Sequence, residues 1–105
     1  MSSESEPENL VRVGQKPTLN YVVACLTLFN SGYDEVVVKA RGRSIAHAVD
    51  VVNKLKESFI SNLEVRNVSI GSEEVDVGGK RLRLSTIELV IAKPSYQPTP
   101  TQTGR

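Results

Sequence analysis

Apolar and polar residues follow two periods along the chain, and these divide it into helices and strands. In the first helical segment, apolar residues recur every three or four positions: Leu19, Val22, Val23, Leu26 and Phe29. This spacing predicts an amphipathic helix with one buried stripe. Pro17 suits its first turn, and Gly32 is expected to follow its last turn. Cys25 lies near the stripe and is expected to be a small buried residue.

A second apolar segment changes from strand to helix at Gly42. The residues from Tyr33 to Ala40 include three consecutive valines, which are typical of a strand covered on both faces. Gly42 permits a sharp turn, and Ser44 is a suitable N-cap for a helix from about Ile45 to Ser58. The apolar positions of that helix share one face: Ile45, Ala48, Val49, Val52 and Leu55.

A short strand over Leu10 to Val13 precedes the first helix. Strand, helix and strand within about thirty residues form a βαβ unit, so these two strands are expected to be parallel, with a right-handed crossover. The segment from Gly14 to Thr18 and the turn at Gly42 then follow the ends of neighbouring strands.

The rest of the ordered chain is typical of a long β-hairpin. Its apolar alternation slips between Val65 and Val68, which predicts a bulge, and Gly78-Gly79 predicts a two-residue turn. On the return strand, the parity that gives Ile87, Leu89 and Ile91 near the end gives Arg81 and Arg83 near the turn. A strand face that packs against a core cannot carry two arginines along the same stretch of the domain. We therefore expect the part of the hairpin near its turn to protrude beyond the domain body.

Charge and composition favour a binding protein over an enzyme. The 105 residues suit one domain. Residues 11–93 carry 12 Lys and Arg against 9 Asp and Glu, a net charge of +3, whereas residues 1–9 are acidic. One cysteine and one histidine leave no credible metal cluster. No Walker, GxGxxG or GxSxG motif is present, and His47 has no catalytic partner in the sequence. We expect His47 to be a surface residue.

The candidate chemistry is cationic. Lys39, Arg41 and Arg43 surround a turn that leads into a helix N-terminus, which favours an anion such as phosphate. Lys16 precedes the first helix, and the hairpin turn adds further cations: Lys80, Arg81 and Arg83. Cations on a body and on a β-ribbon suit a nucleic-acid duplex. The alternatives left open are a solvated basic turn and an exposed hairpin whose charges pair with Glu73, Glu74 and Asp76.

These residues resemble the Alba family of archaeal chromatin proteins. The similarity rests on four segments: Gly14 to Val22, Lys39 to Ile45, Ala48 to Asp50, and Ser85 to Glu88. It covers about residues 11–93. It implies a single α+β domain over residues 10–93, with the order β-α-β-α-β-β, two helices on a mixed four-stranded sheet and a protruding hairpin. Residues 1–9 and 94–105 are expected to be disordered tails.

The resemblance also implies a function and the residues that carry it. A dimer, with itself or with a paralogue, would bind double-stranded DNA without strong sequence preference and coat chromosomal DNA. RNA binding in ribonucleoproteins is the alternative function. No catalytic activity and no cofactor are implied. The nucleic-acid contacts would come from seven cations: Lys16, Lys39, Arg41, Arg43, Lys80, Arg81 and Arg83. Gln15 and His47 would be additional contacts, and Phe59 would join dimers along DNA.

The chain departs from the family pattern at one position before the first helix. Many members have two adjacent lysines before the first helix, the first of which is acetylated. Gln15 stands at that position and is similar in shape to acetyl-lysine.

The expected location is the cytoplasm, on the nucleoid. The chain starts without a basic and apolar leader segment and has no apolar run of the length that a membrane span needs.

Overall fold

Two helices cover one face of a four-stranded sheet. The computed structural model describes residues 7–94. Its elements, in chain order, are β1 (Leu10–Arg12), α1 (Thr18–Asn30), β2 (Glu35–Arg41), α2 (Ile45–Ser58), β3 (Glu64–Val77) and β4 (Lys80–Ala92), with a 3₁₀ turn at Gly42–Ser44 between β2 and α2. The sheet order is β1-β2-β4-β3. β1 and β2 are parallel, and the other pairs are antiparallel. The predicted fold is confirmed.

The core lies between the helices and alternate residues of the central strands. Val36 and Val38 on β2 are fully buried, and they lie opposite Ile91 and Leu89 on β4. Val37, between the two buried valines, is only half-buried. The prediction that this strand is covered on both faces is therefore wrong, because both helices pack on the same side. We call the uncovered side the open face.

The buried face of each helix contains most of the predicted positions but is rotated from the predicted stripe. Cys25 is buried, as predicted. In α1 the buried residues are Val22, Cys25 and Phe29, whereas Leu19 and Val23 are exposed. In α2, Val51 is fully buried and Val49 is exposed. α1 has apolar residues around most of its circumference, so its period alone could not select the face that meets the sheet.

The hairpin protrudes from the body, as its charge pattern predicted. The molecule extends 64 Å along its longest axis and 33 Å along the next. The ladder between β3 and β4 shifts between Val65 and Asn67, which is the predicted bulge, and Gly78 and Gly79 both have positive φ in the predicted turn. We call residues 72–85 the arm. None of its residues is buried.

The predicted tails lie mostly outside the described residues. The described part of the N-terminal segment already joins the sheet, since the Asn9 side-chain amide donates to the Glu35 carbonyl oxygen at 2.9 Å. The Val37 N–H donates to the Asn9 carbonyl oxygen at 2.8 Å. Residue 9 therefore continues the parallel pairing of β1 and β2 by hydrogen bonds.

Candidate nucleic-acid interface

An open cleft lies where β1 and β2 end side by side. Because the two strands are parallel, the residues that follow them meet at one edge of the sheet: residues 13–17, which we call the first loop, and residues 42–44, the second loop. The cleft measures about 680 Å³. Three predicted cations line it, Lys16, Lys39 and Arg41, together with Arg12, which lies opposite Lys39 in the β1–β2 register. Among residues 7–94, Glu73 is the one carboxylate that lines it.

Two aromatic side chains hold the first loop in shape. The Tyr21 hydroxyl accepts hydrogen bonds from the N–H groups of Gly14 at 3.0 Å and Lys16 at 3.1 Å. His47, on α2, reaches the same loop: its Nδ1 lies 2.8 Å from the Gly14 carbonyl oxygen, and its Nε2 lies 3.1 Å from Thr18 Oγ1. The two rings meet edge to face at 5.6 Å. His47 is thus half-buried against the first loop and is less exposed than the predicted surface residue.

Gln15 joins the two loops. Its side-chain amide donates to Ser44 Oγ at 2.7 Å. Ser44 occupies the predicted N-cap position of α2, but it is buried and its side chain makes no capping hydrogen bond to the start of the helix. The 3₁₀ turn carries the chain into the helix, and the Ser44 hydroxyl serves the contact between the loops.

Gly42, the first residue of the second loop, separates Arg41 at the end of β2 from Arg43 in the loop. Gly42 has φ +58°, a left-handed conformation that glycine adopts without strain. Before it, Arg41 forms an ion pair with Glu73 on β3, with both side chains about half exposed. After it, Arg43 is exposed and forms no ion pair with any carboxylate of residues 7–94. The structure therefore brings Arg41 into the cleft and leaves Arg43 beside it.

The three cations near the hairpin turn lie on opposite faces of the arm. The register pairs Val77 with Lys80 and Asp76 with Arg81, and the pairs alternate between faces along the ladder. Lys80 shares the open face with Lys39 and Arg41. Arg81 and Arg83 lie on the other face, where Arg81 contacts Glu74 at 3.3 Å and Asp76 at 3.6 Å. This charge pairing is the alternative that the sequence left open for the hairpin.

Phe59 lies far from the cleft, at the end of α2. Its side chain is 51% exposed, and with the neighbouring Ile60 it lines a second cleft. The other apolar residues of this cleft are Leu26, Phe29 and Pro94. The rest of its lining is polar: Asn30, Ser61, Asn62 and Lys93. An exposed aromatic ring beside a depression of mixed chemistry is suited to a contact between proteins.

Sequence reasoning missed Arg12, Tyr21 and Glu73 as cleft residues. Arg12 could have been found, because the predicted parallel pairing brings the end of β1 beside Lys39. Tyr21 and Glu73 carried no such signal, since their roles depend on how α1 and β3 are oriented. Within residues 7–94, no three His, Cys, Asp or Glu side chains converge on a possible metal site, and no helix there meets the length and hydropathy that a membrane span requires.

The fold and the cleft define a small α+β domain with cationic loops at one sheet edge and a protruding arm. A family model described as Alba matches residues 9–72, so the chain belongs to the Alba family. It is 45% identical over 86 residues to a protein of Archaeoglobus fulgidus named "DNA/RNA-binding protein Alba 1", covering 82% of this chain and 97% of that one. A Methanocella arvoryzae protein named "DNA/RNA-binding protein Alba" is 39% identical over 88 residues, covering 83% and 92%.

Solved structures agree with this assignment. Alba from Thermoplasma volcanium superposes with a TM-score of 0.75 at 32% identity, covering 79% of this chain and 98% of its own. ALBA1 from Trypanosoma brucei gives a TM-score of 0.70 at 31% identity, covering 85% and 72%. The family supports the prediction that the chain is not an enzyme.

Proposed function

We propose that this chain binds double-stranded nucleic acid, DNA foremost, without strong sequence preference. The observation that carries the proposal is the convergence of four cations, Arg12, Lys16, Lys39 and Arg41, on one cleft between two loops. Lys16 and Lys39 form no ion pair with a carboxylate of residues 7–94, so their charges can face phosphates. Phosphate contacts position a protein on a duplex and carry no sequence information directly.

The shape of the molecule extends this proposal along the duplex. The body would place its cleft over the phosphate backbone, and the arm would lie along a groove, as β-ribbons do in other DNA-binding proteins. Arg43 and Lys80 would add phosphate contacts on either side of the cleft. Gln15 and His47 would act mainly by holding the first loop, since both already have partners within the fold.

We further propose a homodimer that coats and compacts chromosomal DNA on the nucleoid. β3 is an edge strand, and on its helix-bearing side Val65, Val68 and Ile70 are exposed, with Ile70 81% accessible. Packing these exposed side chains against the same side chains of a second copy is a favourable symmetric contact. Phe59 and its cleft would join successive dimers. A paralogue with a similar β3 could replace one copy.

RNA binding in ribonucleoproteins is the second candidate, and the names of the two curated relatives favour it, because both carry "DNA/RNA-binding". Contacts to phosphate and sugar are present in both duplex types, so the same cleft could accept an A-form helix.

Fluorescence anisotropy with matched DNA and RNA duplexes across a salt series tests the proposal. The Arg41→Ala/Arg43→Ala variant should lose affinity, and its slope of log K against log salt should flatten by up to about 1.8, from two phosphate contacts. The matched control is Lys54→Ala/Lys56→Ala, which removes two cations from α2. Equal losses in both variants, or no binding by the unmodified chain, would refute the role of the cleft. Preference for RNA would favour the second candidate.

A further inference from the structure

The two faces of the arm differ in chemistry. The face that carries Arg81 and Arg83 also carries Glu74 and Asp76, so its formal charge is zero. The opposite face, which continues the open face of the sheet, also has a formal charge of zero, from Glu73 and Lys80. It differs in carrying four apolar side chains: Val75, Val77, Leu82 and Leu84. We call these four residues the apolar strip. Val77 is 55% exposed and Leu82 is 41% exposed.

The apolar strip has no core beneath it. Val75 lies opposite Leu82 in the ladder, and this cross-strand contact stabilises the hairpin by a modest amount. The arm extends beyond both helices, however, and none of its residues is buried. The exposure of Val77 and Leu82 is therefore left unexplained by folding.

The apolar strip is continuous with the proposed binding cleft. At its base, Leu84 lies against the second loop: a Cβ added at Gly42 would be 3.7 Å from Leu84 Cδ2. Arg41 lies on the same face at this end, and Lys80 lies on it at the other end. The open face thus presents, in succession, Arg41 paired with Glu73, the apolar strip and Lys80.

We propose that the apolar strip, and not the Arg81/Arg83 face, is the surface of the arm that contacts nucleic acid. The inference rests on the proposed function and identifies the chemistry of its arm. A groove presents the C–H groups of the sugars between two lines of phosphates. Val77 and Leu82 would pack against the sugars, while Arg41 and Lys80 contact phosphates on either side. Apolar contact with sugars does not discriminate between bases, so the arm binds any sequence.

The test is anisotropy with a mixed-sequence DNA duplex and the full chain. Val77→Thr/Leu82→Thr places β-branched residues that favour strands at both positions but makes the strip more polar. We expect affinity to fall about five- to tenfold, with an unchanged salt slope, because no charge is removed. Val77→Ile/Leu82→Ile, which keeps the strip apolar, should retain affinity. Circular dichroism confirms folding in each case.

The matched control makes the opposite face uncharged without changing net charge: Glu74→Gln/Asp76→Asn/Arg81→Gln/Arg83→Gln. We expect its affinity to stay within about twofold of the unmodified chain. The inference is overturned if this variant loses affinity and Val77→Thr/Leu82→Thr does not. It is also overturned if Val77→Thr/Leu82→Thr changes the sedimentation mass without nucleic acid, because the strip would then be a contact between proteins. If the unmodified chain binds no duplex, the proposed function itself fails.

Discussion

Glu73 is a single side chain that works against the charge of the cleft. Its carboxylate forms an ion pair with Arg41 and is the one acidic group of the described chain that lines the cleft. Exposed ion pairs contribute little stability, so a phosphate can compete for Arg41 at small cost. The local charge at this position, and not the net charge of the chain, sets what the cleft can bind.

We expect Glu73→Gln to tighten duplex binding about two- to fivefold and to steepen the salt slope by up to about 0.9, because Arg41 becomes available for one more phosphate. Salt-dependent anisotropy measures both. Glu57→Gln, on α2, removes the same charge away from the cleft and is the control. An equal gain in the two variants would show that only net charge matters.

Replacing Gln15 tests whether the absence of a lysine at this position weakens duplex binding. We expect Gln15→Lys to tighten binding and to steepen the salt slope by about 0.9, one phosphate contact. Gln15→Met, which is similar in length but cannot donate to Ser44, separates charge from the contact between the loops. If Gln15→Lys left affinity and slope unchanged, the acetyl-lysine comparison would have no functional meaning.

The burial of the Cys25 thiol makes the stability of the protein depend on pH. Burial raises the pKa of its thiol to about 12 from an ordinary value of 9.0. The folded state therefore keeps the proton more tightly than the unfolded state, and this contribution to stability is present below pH 9 and is lost as the pH rises towards 12. At pH 10 we expect the free energy of unfolding to fall by about 1.4 kcal/mol more in the unmodified chain than in Cys25→Ala, each relative to pH 8. Urea denaturation at the two pH values measures this, and equal falls would contradict it.

Among the larger elements, the first loop depends on packing that its own sequence does not reveal. Its hydrogen bonds end on Tyr21 of α1 and His47 of α2, so its shape is set only after both helices pack. The sequence predicted α2 with the bounds that the structure shows, the bulge near Val65 and the turn at Gly78, because these depend on local pattern. The exact rotation of each helix, which leaves Leu19, Val23 and Val49 exposed, and the partner of Ser44 depend on tertiary contacts, and they were missed.

We expect Tyr21→Phe to loosen the first loop. The variant loses an oxygen that accepts two backbone N–H groups, so the free energy of unfolding should fall by about 1–2 kcal/mol. Duplex affinity should fall as well, because Lys16 is no longer held in place. Tyr33→Phe is the control, since the Tyr33 hydroxyl donates only to the exposed Glu8 carboxylate. Thermal unfolding and anisotropy that gave the same values for both variants would contradict the anchoring role.

At the scale of the whole molecule, the two ends of the β3–β4 hairpin differ in the chemistry of their faces. Near the body, the helix-bearing side of β3 is apolar, and in the arm that side is charged and paired. The open face shows the reverse order, with cations near the body and, in the arm, the apolar strip followed by Lys80 at its tip. One alternating sequence can therefore serve two surfaces, because each face changes chemistry where the hairpin leaves the helices.

This arrangement predicts a dimer whose contact is separate from the nucleic-acid surface. Sedimentation equilibrium of the unmodified chain should give about twice its mass of 11.5 kDa. Val68→Asp places a charge in the apolar side of β3 and should give a monomer, because an unpaired buried charge is costly. Val23→Asp, which adds the same charge at an exposed valine of α1, should leave the dimer intact. A monomer should also bind DNA more weakly, since it has one cleft and one arm where the dimer has two. If Val68→Asp remained a dimer with unchanged affinity, the contact would have to lie elsewhere, and the exposed apolar side of β3 would need another explanation.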